Sequence, residues 1–201
     1  DRDNENVYIT NNKIINSCIA TGIFVSQLTN NVIISNNIII GNKDASSIDD
    51  RILVAYHNRL DTDENRVSKN IIICNNICKY SQTSGIKVAG VNITVDNNTV
   101  MYCMAGIMSI SEMPPHGDNP DPYRIYPGEN IIISNNAIIN GFNGTSTVRE
   151  GIHLNAPNKV KVTNNMISVQ DNATYGFRYA ILSINGKHID INNNNINGGI
   201  N

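Results

Sequence analysis

The chain of 201 residues has no Trp, three Phe and only five Leu, and 16% of its residues are charged. Helical proteins rely on Leu, Ala, Glu and Lys, whereas Ile and Asn are mediocre helix formers, so a helical fold is excluded. A disordered chain is also excluded, because 40% of the residues are hydrophobic. No apolar run approaches the roughly 18 residues of a transmembrane helix, and no membrane span is expected.

The net charge of the chain is also small, and cysteines are few. The formal net charge is −2 and the pI is about 6.1, which gives no electrostatic reason to expect a nucleic-acid partner. The four cysteines, Cys18, Cys74, Cys78 and Cys103, are too few and too unevenly spaced for a disulfide scaffold. The N-terminal residues lack the basic and apolar regions of a targeting segment. Free thiols favour assembly in a reducing compartment.

Two residue types dominate what is present, since the chain contains 36 Asn and 34 Ile. Seven segments share one order: an aliphatic residue, any residue, Ile or Val, any residue, Asn-Asn, any residue, and an aliphatic residue or Cys. They are NVYITNNKI from Asn6, NVIISNNII from Asn31, NIIICNNIC from Asn70, NITVDNNTV from Asn92, NIIISNNAI from Asn130, KVKVTNNMI from Lys159 and HIDINNNNI from His188. The Asn pairs recur at spacings of 25, 39, 22, 38, 29 and 29 residues, so the bare repeat has 22 residues.

A further strand pattern, G-I-x-V, follows most of the Asn pairs. It reads GIFV from Gly22, RILV from Arg51, GIKV from Gly85, GIMS from Gly106, GIHL from Gly151 and AILS from Ala180. Each repeat is therefore predicted to form three short strands: one before the Asn pair, one after it, and the G-I-x-V strand. The alternation also predicts one stacked inner column of Ile9, Ile34, Ile73, Val95, Ile133, Val162 and Ile191.

The Asn pair has a physical explanation. A short turn between strands needs a residue that tolerates a left-handed conformation, and Asn tolerates it best after Gly. When identical turns stack at the strand spacing of about 4.8 Å, their amides can bond to one another as a ladder.

This pattern resembles the right-handed parallel β-helix of the pectate-lyase-like superfamily and, in its Asn/Ile richness, bacteriophage tailspike or appendage proteins. The resemblance covers Asn6 to about Ile200. It implies an all-β, right-handed, single-stranded parallel β-helix of about seven coils with an Asn-ladder turn, as one domain over residues 1–201. Neither end shows a cap, so a segment of a longer β-helix is expected.

The resemblance also implies a homotrimer of the virion tail that binds and cleaves a bacterial surface polysaccharide such as capsule or wall teichoic acid. Two alternatives remain open: a secreted polysaccharide lyase or glycoside hydrolase, and a non-catalytic structural or adhesin β-helix. In this superfamily the G-I-x-V strand lines the polysaccharide groove. Its outward positions are predicted to be G and x, with x being Phe24, Leu53, Lys87, Met108, His153 and Leu182.

Two catalytic constellations are candidates. For glycoside hydrolysis, Asp50 and Glu150 lie three repeats apart, roughly 14 Å, so each needs a loop partner: Asp61 or Asp63 for Asp50, and Asp118 or Asp121 for Glu150. For lyase chemistry, Lys87, His153 or Arg178 would be the base, with a cation or Ca²⁺ stabilising charge. No other cofactor and no metal ligands are predicted.

Substrate-binding residues are expected on the same sheet and in the loops around it. They are Phe24, Arg51, His57, Arg59, Tyr123, Arg124, Asn155 and Arg178. The alternative for any one of these residues is a solvated charge or a turn-capping group.

Overall fold

The computed structural model describes residues 4–17, 21–25, 29–42, 50–54, 68–110, 112–113, 124–125, 128–140, 150–155, 157–169 and 177–198. These residues form only β-strands, turns and bends, with no helix among them. Accordingly, none of them belongs to a helix long and apolar enough to cross a membrane.

The strand before each Asn pair contributes to one parallel sheet, called here the first sheet. Its seven strands are hydrogen-bonded in chain order. They are β1 (Asn4–Thr10), β4 (Thr29–Ser35), β7 (Lys69–Cys74), β9 (Val91–Asp96), β13 (Glu129–Ser134), β16 (Asn158–Thr163) and β19 (Lys187–Asn192).

The remaining parallel strands form an 11-stranded sheet with two branches. The second sheet follows the Asn pairs: β2 (Lys13–Ser17), β5 (Ile38–Gly41), β8 (Ile77–Val88), β10 (Thr99–Ile110), β14 (Ala137–Asn140), β17 (Met166–Val169) and β20 (Asn195–Asn197). The third sheet joins β3 (Ile23–Val25), β6 (Ile52–Val54), the later parts of β8 and β10, β15 (Glu150–Asn155) and β18 (Tyr179–Ile184). A short antiparallel pair, β11 (Glu112–Met113) and β12 (Arg124–Ile125), lies apart from both branches.

Long parallel sheets built from successive repeats are consistent with a β-solenoid, and the all-β prediction is confirmed. The prediction of three separate strands per repeat is confirmed only in part. In the third and fourth repeats the second and third strands merge into β8 and β10, each of 12 residues. Within these strands Tyr80 and Tyr102 have left-handed backbones (φ 58° and 57°), and their rings stack with centroids 5.1 Å apart. No loop is inserted at this point in either repeat, so β8 and β10 remain paired with each other on both sides of these tyrosines. Their register shifts by one residue between the Cys103–Ser81 and Ala105–Ser84 pairs.

The predicted inner column of the first sheet is confirmed by the strand register. From Ile34 to Val162 its members have no solvent exposure, whereas Ile191 in the last strand is 45% exposed. A second inner column, including Val32, Ile71 and Ile93, packs with it in one continuous core. The abundant Ile therefore fills the interior between the sheets.

The two members of each Asn pair differ in structure. The first member is left-handed in all seven pairs, with φ between 52° and 59°, as predicted. The second member is largely buried and forms the ladder. Asn76 Nδ2 donates to Asn98 Oδ1 over 3.0 Å, and the same bond joins successive repeats from Asn12 to Asn194.

An additional ladder runs along the first sheet, near the beginning of each of its strands. Residues there are again left-handed, and Asn31, Asn70, Asn92 and Asn130 each donate a side-chain amide to the Asn of the preceding repeat over 3.0–3.3 Å. The repeated Asn at this position is evident in the sequence, but its side-chain hydrogen bonds were not predicted. Both ladders hold the repeats in one register.

Candidate functional site

The outward face of the third sheet carries the predicted column of x residues. Strand pairing places Phe24, Leu53, Lys87, Met108, His153 and Leu182 side by side in consecutive repeats. Phe24 is 47% exposed, and the other five are half-buried. The register prediction for this column is therefore confirmed.

The prediction that the G position also faces outward is wrong. Gly85, Gly106 and Gly151 are buried, and a Cβ added at Gly106 would lie 2.4 Å from Ile138 Cγ2. The chain turns a corner at this position, so the residue lies against inner side chains of the second sheet. Strict alternation does not hold across that corner.

Arg51 occupies the same corner position and is fully buried. A Cβ at Gly41 would lie 2.6 Å from its Nη1, so the absence of a side chain there leaves space for the guanidinium. Arg51 was predicted to bind substrate, and its fully buried, inward position does not fit that role. Its charge acts on the interior thiols instead: burial raises the pKa of Cys78 well above its usual value, and Arg51 opposes that shift.

Glu150 and His153 form the first polar pair on the third sheet. Both belong to β15, and His153 Nδ1 lies 3.4 Å from Glu150 Oε2. The Glu150 side chain is 2% exposed and that of His153 is 16% exposed. Glu150 Oε2 and both ring nitrogens of His153 are buried, and none of these three atoms makes a hydrogen bond within the part of the chain that the structure describes. Glu150 Oε2 and His153 Nδ1 face each other, which leaves His153 Nε2 as the atom of the pair without a polar partner among the described residues. Buried polar atoms are nearly always paired, so Nε2 indicates a place where another polar group binds.

Asp50 and Lys87 form the second pair. Asp50 precedes β6 and is 6% exposed; its Oδ1 accepts hydrogen bonds from the Ser84 amide over 3.0 Å and from the Ser84 hydroxyl. Its Oδ2 lies 3.8 Å from Lys87 Nζ. Ser84 was not among the predicted site residues. Its position in the repeat, one residue before the corner like that of Asp50, could have identified it.

The two pairs are separate sites. Asp50 bonds to Ser84, Ser84 pairs with Ala105, and Ala105 pairs with Glu150, so three strand spacings, roughly 14 Å, separate the carboxylates. That separation exceeds the range of about 5–9.5 Å found between the two carboxyl groups of glycosidases. Each carboxylate instead lies next to a basic side chain of the x column.

The neighbouring strand adds two exposed groups. Tyr179 pairs with Glu150 in register and is 42% exposed, and the guanidinium carbon of Arg178 lies 5.4 Å from its ring centroid. Asn155 ends β15, is half-buried and pairs with Ile110 and Ile184.

Several predicted residues cannot be placed on this surface. His57, Arg59, Asp61, Asp63, Asp118, Asp121 and Tyr123 lie outside the described residues, and of Arg124 only the backbone, in β12, is described. Within the described ranges, no group of three His, Cys, Asp or Glu side chains is arranged to hold a metal ion.

In comparisons with known proteins, no family model and no curated protein matches this chain.

Proposed function

We propose that this chain is a right-handed parallel β-helix of the pectate-lyase-like kind, belonging to a bacteriophage tailspike or appendage. In this proposal it binds and cleaves a bacterial surface polysaccharide such as capsule or wall teichoic acid. The observation that carries the proposal is the Glu150–His153 pair, in which a buried carboxylate contacts the histidine of the x column and leaves the buried His153 Nε2 without a hydrogen bond among the described residues.

His153 is the general base in this proposal, and Glu150 is its positioning residue. A ring nitrogen of a neutral imidazole can accept a proton, and a carboxylate beside the other ring nitrogen orients the ring. In this proposal His153 Nε2 is the atom that receives the proton, and because this atom is buried, a neighbouring group must move aside when the substrate binds.

Two reactions can follow from that proton transfer. In hydrolysis the proton comes from a water molecule, whose oxygen bonds to the anomeric carbon while the glycosidic bond breaks and the departing oxygen takes a proton from solvent. In elimination the proton comes from the carbon next to an acid group, and a carbon–carbon double bond forms as the glycosidic oxygen leaves and takes a proton from solvent. Only elimination gives products that absorb in the ultraviolet.

A binding-only function is the second candidate. Four of the six x positions, Phe24, Leu53, Met108 and Leu182, are apolar and at least partly exposed. Aligned apolar side chains of this kind form a surface on which sugar rings can pack, as exposed apolar patches often mark binding sites. An adhesin would use this surface without the proton transfer.

One incubation series separates these functions. The protein is mixed with host-range capsules, wall teichoic acids and polygalacturonate, and reducing ends and ultraviolet absorbance are followed. With capsules and polygalacturonate, reducing ends with absorbance indicate a lyase and reducing ends alone a hydrolase. With teichoic acid, newly formed phosphomonoesters indicate hydrolysis of the backbone. Retained binding with none of these products indicates an adhesin. A protein that neither binds nor cleaves any of these polymers would contradict the proposal. Light scattering of the full-length protein tests the proposed homotrimer, which a stable monomer would exclude.

A further inference from the structure

Charge is distributed unevenly on the outer face of the third sheet. Among the described residues, the carboxylates of this face are buried, since the side chains of Asp50 and Glu150 are only 8% and 2% exposed. The partly or fully exposed ionisable groups described on this face are Lys87, His153, Arg178 and Tyr179, and with His counted as neutral only Lys87 and Arg178 are formally charged. The exposed formal charge on the described part of this face is therefore positive, although the chain has a net charge of −2.

Asp50 orients the Lys87 side chain, and the ammonium group keeps hydrogen-bond donors for a ligand. Ser84 fixes Asp50 through two hydrogen bonds to Oδ1, and this leaves Oδ2 directed towards Lys87. The separation of 3.8 Å is longer than the 2.7–2.9 Å or so of a direct charged hydrogen bond. An ammonium group carries three donors, so Lys87 can be oriented by Asp50 and still donate to a ligand.

Lys87 also has a defined place relative to the proposed base. It pairs with Met108, which pairs with His153, so two strand spacings, or about 10 Å, separate their backbones along the sheet. Met108 offers an apolar surface between the two polar positions.

We propose that Lys87 binds a negatively charged group, a carboxylate or a phosphate, on a glycan unit two strands away from His153. Lys87 is then a specificity-determining residue, and the ligands are anionic polysaccharides. This inference rests on the proposed polysaccharide-binding role of the third sheet. The group would be carried by an acidic sugar or by a phosphodiester in the polymer backbone.

Binding measurements on three polymers test the inference. Polygalacturonate supplies carboxylates, a poly(glycerol phosphate) teichoic acid supplies phosphates, and fully methyl-esterified polygalacturonate is the uncharged counterpart of the first. We expect at least one anionic polymer to bind about tenfold more tightly than the uncharged one, which is the size of one hydrogen bond to a charged group. The two anionic polymers distinguish the two sources of charge.

Variants assign that preference to Lys87. Lys87→Gln should remove most of it, and Lys87→Arg should retain it. Lys161→Gln removes an exposed lysine from the first sheet and should leave it unchanged. Equal binding of charged and uncharged polymers, no binding of any of them, or a wild-type preference in Lys87→Gln would each overturn the inference.

Cleavage assays on the same samples separate this inference from the proposed function. If the preference depends on Lys87 and nothing is cleaved, the inference stands and the proposed catalysis fails. If the polymers are cleaved and Lys87→Gln keeps the preference, the inference alone fails.

Discussion

At the scale of single residues, the two asparagines of each pair make different contributions to stability. Asn75 is exposed and left-handed (φ 57°), a conformation that Gly adopts without strain. Asn76 is buried; its amide donates to Ile34 O over 2.9 Å, and its Oδ1 accepts from the Asn37 backbone over 2.9 Å. Asn75 Oδ1 accepts one exposed hydrogen bond, from Asn97 Nδ2 over 2.7 Å. The second position therefore depends on buried Asn hydrogen bonds, whereas the first depends on its backbone conformation and one exposed bond.

Asn76→Ala is accordingly expected to lower the free energy of unfolding by about 3 kcal/mol or more, because it leaves several buried groups unpaired. Asn75→Gly, the matched control, should change it by less than about 1 kcal/mol. Urea unfolding followed by circular dichroism measures both. Equal costs for the two variants would show that the buried amide ladder does not stabilise the fold.

The interior thiols predict how stability depends on pH. Burial raises the pKa of Cys103 from 9.0 to about 12. Between these values the unfolded chain has lost a thiol proton that the folded chain keeps, so stability is full below pH 9 and falls as pH rises towards 12.

Urea unfolding in reductant at pH 8 and again above pH 10 tests this. The loss of stability on raising the pH should be about 1–2 kcal/mol smaller in Cys103→Ala than in the wild type. Comparing the two pH values within each variant cancels the cavity that the substitution leaves. The same loss in both proteins would mean that Cys103 is not protected from ionisation.

At the scale of strands, the corner before the third sheet restricts the side chain that can stand there. A Cβ at Gly106 would lie 2.4 Å from Ile138 Cγ2 and 2.5 Å from the carbonyl oxygen of Gly151. Ala180 occupies the equivalent position in β18, at the half-buried end of the sheet.

Gly106→Ala is therefore expected to destabilise the fold by about 1–3 kcal/mol, the usual cost of overpacking a core. Ala180→Gly, at the equivalent position, should cost less than about 1 kcal/mol. Thermal or urea unfolding of both variants provides the comparison. A Gly106→Ala protein as stable as the wild type would show that the corner has room for a side chain.

This corner also marks the limit of what the repeat pattern predicts. Period-two alternation correctly placed Ile34 and Ile73 in one inner column and Lys87 beside Met108, because both sets lie within straight strands. It failed at Gly85 and Arg51, since alternation does not continue where the chain turns. The pattern also gave no sign that strands would merge in β8 and β10.

At the scale of the whole molecule, the repeats predict the scaffold much better than the site. Asn and Ile recur in every repeat and specify the ladders and the core. Glu150 and Lys87 occur in single repeats, so no periodic signal relates them to neighbours. The pairing of Glu150 with His153 was not predicted, because it depends on how side chains are oriented where β15 begins.

We propose that His153, positioned by Glu150, cleaves a polysaccharide on the third sheet. The initial cleavage rates of His153→Gln and Glu150→Gln test this proposal, with His188→Gln as the control in which an exposed histidine of the first sheet is replaced. We expect at least about 100-fold loss in His153→Gln, a smaller but clear loss in Glu150→Gln, and an unchanged rate in His188→Gln. Cleavage by His153→Gln at the wild-type rate would contradict it.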